Sequence, residues 1–176
     1  MRHWLPDQLS QGKTIKGSEL DPLLERYIRD MHPETFESLT TEHKDEEIKK
    51  EIETNHQWKI VIDGTIACVW ATTLNDEAIC AEKDQNDAIY IHRIATNAEL
   101  RGNNFVMKIV GWAKDFARKH NREYVRLDTL GNNTRLIDYY VKSGFNFLGI
   151  FELENTSSLP LHYQQEPQCC LFEVAV

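Results

Sequence analysis

Arg101, Gly102, Asn103 and Asn104 stand just before a run in which Phe105, Val106, Ile109, Val110, Trp112, Ala113, Phe116 and Ala117 recur at helical spacing. Lys108, Lys114, Asp115, Arg118 and Lys119 fill the opposite face, and His120 and Asn121 stand where such a helix should end. A polar turn feeding a helix leaves the first backbone N–H groups without intrahelical acceptors, and the helix dipole adds positive character there. Those donors suit an anion, phosphate above all. Arg101 adds a guanidinium, and Gly102 lets a ligand approach the main chain closely. The plainer alternative is an ordinary loop into a helix.

The elements that must position this turn follow from patterning. Ahead of it, Ala88 to Thr96 (AIYIHRIAT) reads as a strand, and behind it Glu123 to Leu130 (EYVRLDTL) reads as another. A strand, a helix and a strand imply a parallel pair joined by a right-handed crossover. Earlier in the chain, WKIVI and TIACVWATT flank Asp63-Gly64, a strong hairpin signal over Trp58 to Thr73. The polar stretch from Asn75 to Asp87 reads as a loop. Two helices are expected before the hairpin: one over Ser18 to Met31, and a highly charged one from about Thr41 to Thr54. After Leu130, GNNTRLIDYYVKSGF gives a short helix that starts near Asn132 or Asn133 and stops at Gly144. FNFLGIFELE and CCLFEVAV close the chain as strands around a loop with Pro160, His162 and Pro167.

Bulk properties narrow the function. A chain of 176 residues, 41% of them hydrophobic, suits one domain with a proper core. The formal net charge of −8 argues against general nucleic-acid binding and is compatible with a cationic substrate. No run reaches the length of a membrane span, and MRHWLPDQLSQ lacks the form of a signal peptide, so no membrane association and a cytoplasmic location are expected. Cys68, Cys80, Cys169 and Cys170 have no zinc-type spacing, so no metal is expected, and the last two fit buried free thiols.

The order of these elements and three motifs resemble the GNAT superfamily of acyl-CoA-dependent N-acetyltransferases, in particular small bacterial-type members. The loop before the long helix matches the family pattern Arg/Gln-x-x-Gly-x-Gly/Ala at Arg101, with Asn104 and Val106 where small residues belong. A second motif, Asn-x-x-Ala/Leu-x-x-hydrophobic-Tyr-x-x-x-Gly-Phe, is matched by Asn133, Leu136, Tyr139, Tyr140, Gly144 and Phe145. YIHRIAT before the loop, RLDTLGNN before Asn133 and the C-terminal LFE are softer matches. Asn133 and Tyr140 lie on one helix face about 10 Å apart along the axis, so an amide and a phenol could line one cleft.

The resemblance implies a single α/β (α+β) domain over residues 1–176. Its sheet would be mixed and mostly antiparallel, with a central parallel, splayed strand pair and flanking helices. Residues 1–55 would form the acceptor side, 58–150 the acetyl-CoA-binding core and 151–176 the C-terminal strands. It further implies direct transfer of an acetyl group from acetyl-CoA to a primary amine of a small molecule or peptide. Backbone groups of Ile94, Ala95 and Thr96 would pair with the pantetheine arm and polarise the thioester carbonyl. Arg101, Gly102, Asn103, Asn104, Phe105 and Val106 would hold the pyrophosphate, and Asn133 would contact pantetheine. Tyr140, also a cofactor contact, would protonate the departing thiolate, since a phenol is protonated at neutral pH. The base is left open among His92, Glu99, Asp128 and water, with Arg93 and Arg126 as expected ion-pair partners of Asp128. Members of the family often pair, so a homodimer is left open too. The competing reading is a non-catalytic acyl-CoA-binding or sensing module whose phosphate loop is closed by Val106.

Overall fold

Asp63 and Gly64 both adopt positive φ, 49° and 79°, the backbone of the two-residue turn whose twist matches that of antiparallel strands. They join β2 (Gln57–Ile62) to β3 (Thr65–Thr73). The computed structural model describes residues 9–11, 50–80, 83–153, 156–157, 159 and 161–176. The helix expected over Ser18 to Met31 lies outside the described residues. So does most of the one expected from Thr41, of which residues 50–53 are helical. Among the described residues no helix is long and apolar enough to cross a membrane.

The chain divides into two compact units, residues 1–72 with 93–103, and residues 73–92 with 104–176. In the first, β1 (Leu9–Gln11) pairs antiparallel with β2, and β2 with β3. Trp58 stands opposite Trp70, and its Nε1 donates to Thr72 Oγ1 at 2.8 Å. The end of β4 (Ala88–Thr96) is tied to β3 in this unit: Asn97 N–H donates to the Ala67 carbonyl at 2.9 Å and its side-chain amide to that of Ile66 at 3.2 Å.

In the second unit the first residues of β4 run parallel to β5 (Tyr124–Leu130), joined through α2 (Phe105–Lys119) as a crossover. β5 pairs antiparallel with β7 (Gln168–Ala175), and β7 with β6 (Asn146–Glu152). The mixed, mostly antiparallel pattern with one parallel pair is the expected fold class. The sheet has two differently furnished faces. Leu171 shares one with Ala88, Tyr90 and Cys169, covered by Ile79 and Cys80. Phe172 points the other way, toward the ring of Tyr140 on α3 (Thr134–Lys142) at 5.2 Å between centroids. All four cysteines are free and buried.

Two polar segments carry structure that their sequence conceals. Within 75–87, read from the sequence as a loop, Glu77–Cys80 forms a one-turn helix, α1, anchored by the buried Ile79 and Cys80. Leu161–Gln165 forms α4 between β6 and β7. Elements this short offer too few residues for a period to emerge.

Candidate active site

The turn before α2 is polar, and its residues 101–104 are exposed. Asn97 caps a single turn of tight helix over Ala98–Leu100, and Arg101 follows at its end, exposed. Gly102 has φ +84° with open space where a Cβ would stand, so its backbone angle, not crowding, calls for glycine. Asn104 adopts the left-handed conformation (φ 52°, ψ 45°) and gives α2 no side-chain cap. The helix begins with Lys108 N–H on the Asn104 carbonyl at 3.4 Å, and the Asn104 side chain caps none of its first-turn donors. Phe105 and Val106 are buried with Ile109 and Val110. The branched Val106, the feature behind the non-catalytic reading, is itself buried.

Asn133 and Tyr140 stand on α3 as expected. Asn133 is exposed and caps the helix, its Oδ1 accepting from Leu136 N–H at 3.2 Å. Tyr140 is buried, its ring against Phe145 and Phe172, whereas Tyr139 is 42% exposed and so no core tyrosine.

The parallel β4–β5 ladder holds three pairs, Ala88↔Tyr124, Ile89↔Val125 and Tyr90↔Arg126, although β5 runs on to Leu130. Two residues past the last pair stand His92 on β4 and Asp128 on β5. Alternation puts His92 on the face of Tyr90, and Asp128 is the register partner of Leu171, so both share that face. Asp76, from the turn before α1, joins them. One ligand-type atom from each of Asp76, His92 and Asp128 lies within 4.8 Å of the others.

Neighbours hold each member in place. Thr73 Oγ1 is 2.9 Å from His92 Nε2, Tyr163 O–H donates to Asp128 Oδ2 at 2.7 Å, and Asp84 Oδ2 accepts from Asp76 N–H at 2.6 Å. Burial, then the charge of Asp128, pushes the Asp76 carboxyl up to about 7, and the Ile79 N–H opposes this. Burial also raises Asp128, against the Tyr163 hydrogen bond. Of the three expected base candidates, the structure thus brings His92 and Asp128 together, whereas Glu99 is exposed in the turn after Asn97.

Neither arginine pairs with Asp128 as expected. Arg126 donates to Asp87 at 2.7 and 3.0 Å, to Glu173, its register partner across β7, at 2.8 Å, and to the Lys83 carbonyl. Arg93 pairs with Glu51. Arg93 also has φ 52°, an unusual angle for a non-glycine residue within a strand, and it marks a bend just after His92. The sequence does not single out Asp76, because its segment carries many acids. The usable signal was a helix-capping Asp three residues before the apolar Ile79-Cys80 pair.

A model described as the acetyltransferase (GNAT) family matches residues 23–145, more than half of the chain. The chain belongs to the GNAT family. It is therefore an acetyltransferase, similar to a Bacillus subtilis (strain 168) protein described as uncharacterized N-acetyltransferase YesJ. The two are 22% identical over 142 residues, which span 74% of this chain and 79% of the relative. Among solved structures, a GNAT-family acetyltransferase from Listeria monocytogenes superposes with a TM-score of 0.65 at 15% identity, covering 96% of this chain and 94% of that one. A Bacillus subtilis acetyltransferase in complex with CoA superposes with a TM-score of 0.60 at 13% identity, covering 96% and 98%. At these identities the structures share the fold.

Proposed function

We propose that this GNAT acetyltransferase moves the acetyl group of acetyl-CoA directly to a primary amine of a small molecule or peptide. The observation that carries the reading is the short parallel ladder with His92 and Asp128 together at its open end. Backbone groups of Ile94, Ala95 and Thr96 pair with pantetheine and polarise the thioester carbonyl. The Arg101 guanidinium and the turn from Gly102 to Val106 hold the pyrophosphate, and Asn133 contacts the pantetheine arm. The CoA complex of a protein of the same fold supports acetyl-CoA as the donor.

In the reaction, the His92–Asp128 pair takes one proton from the acceptor's ammonium. The neutral nitrogen then attacks the acetyl carbon, the carbon–sulfur bond breaks, and Tyr140 protonates the departing thiolate. The nitrogen's surplus proton restores the phenol through solvent, so one proton is released per amide formed. A phenol suits the acid role because it keeps its proton at neutral pH and tolerates the apolar wall of Phe145 and Phe172.

The test is release of free CoA thiol from acetyl-CoA with a panel of primary amines. Wild type is expected to release thiol in an acceptor-dependent way. Tyr140→Phe is expected to lose on the order of 10²–10⁴ in kcat, the usual reach of a general acid. A Tyr140→Phe enzyme of undiminished kcat would remove Tyr140 from the chemistry.

A further inference from the structure

We propose that Asp76, His92 and Asp128 receive an acceptor that carries a second positive charge besides the amine to be acetylated, with His92 as the proton acceptor. This rests on the reading that the amine reacts at the open end of the β4–β5 pair.

Charge arithmetic leads there. Two carboxylates and an imidazole converge within 4.8 Å, on a face that is partly open to solvent. Among the described residues neither carboxylate has a Lys or Arg ion-pair partner. The nearby cation, Arg126, is spent on Asp87 and Glu173. The other titratable groups facing the cluster are Cys80, Asp84, Tyr90, Tyr163 and Cys169, and none supplies positive charge. Carboxylates this close without a counter-charge repel one another: burial raises both, and the charge of Asp128 raises Asp76 further. A bound cation relieves that repulsion.

The reacting ammonium brings one positive charge to two carboxylates, and passing its proton to His92 keeps that charge in the cluster as imidazolium, so one negative charge stays unmatched before and after the transfer. A second, non-reacting cationic group of the acceptor matches it throughout. The anchoring supports a built site: Thr73 fixes the His92 ring, Tyr163 fixes the Asp128 carboxylate and Asp84 fixes the Asp76 backbone.

The experiment compares three acceptors of equal length with acetyl-CoA: 1,4-diaminobutane, n-butylamine and 4-aminobutanoate. The diamine should exceed butylamine in kcat/KM by at least about tenfold, and the amino acid by about a hundredfold. Asp76→Asn and Asp128→Asn, which keep side-chain shape, should each shrink the preference for the diamine through KM, and Asp128→Asn should lower kcat for all three acceptors as well. His92→Gln should instead lower kcat and remove the acidic limb of its pH profile. Acetyl-CoA titrations of the same variants should stay near wild type, which separates acceptor recognition from folding and donor binding. Equal use of diamine and butylamine, or a preference that survives both Asn variants, overturns the proposal. So does acetyl-CoA binding with no acetylation of the diamine. Wild type that binds no acetyl-CoA overturns the underlying reading, and this inference with it. Titration with Mn2+ or Zn2+ completes the test. Binding abolished by Asp76→Asn, with acceptor preference unchanged, would assign the cluster to a metal instead.

Discussion

Asp76 shows how one side chain joins stability to function. Its carboxyl, near 3.8 when free, is pushed up to about 7 in the fold, mainly by burial and next by Asp128. The folded state therefore holds a proton that the unfolded chain releases. Stability contributed by this group is full below about 4, falls as pH rises toward about 7, and is flat and lower above that. Asp76→Asn should raise the melting temperature at pH 8 and flatten the slope between pH 4 and 7. The gain at pH 8 should be on the order of 1 kcal/mol, because the group keeps some solvent. A variant less stable than wild type at pH 8 would contradict this. At the same scale the sequence was legible where spacing carried meaning: Arg101, Asn133 and Tyr140 stand in the elements their motifs implied. Asp76 was not legible, because its nearness to His92 and Asp128 arises from three separate segments meeting.

Elements repeat the lesson. The Asp63-Gly64 hairpin, β4 and α2 were readable, since each has turn chemistry or a sustained period; β4 and α2 begin and end where their sequence patterns do. Neither α1 nor the bend at Arg93 was readable. One is a single turn, and the other is a backbone angle that the run HRIAT does nothing to announce. On α3, Asn133 caps the helix with Oδ1, and under the proposed function it also offers its amide to the donor's pantetheine arm. Asn133→Ala should lower stability by about 1 kcal/mol and weaken acetyl-CoA binding. Asn133→Ser should recover most of the stability, because a hydroxyl also caps, while affinity stays low. Denaturant unfolding beside donor titration reads both. Recovery of affinity together with stability would reduce Asn133 to a cap.

For the whole molecule, the net charge of −8 is spread over a chain whose candidate acceptor face also holds the carboxylates of Asp76 and Asp128. Cationic acceptors should be drawn in at long range, so raising salt from about 20 to about 300 mM should raise KM for a diamine by roughly three- to tenfold. The KM for n-butylamine should change less, and kcat for both should hold. A salt-independent diamine KM would leave the charge without a role in capture. The central claim, that the turn before α2 and the face of α3 serve acetyl-CoA, is tested most directly by calorimetric titration of the protein with acetyl-CoA beside Asn133→Ala. Micromolar binding that the substitution weakens by about tenfold is the expected result. No heat and no thermal shift at millimolar acetyl-CoA would contradict the account.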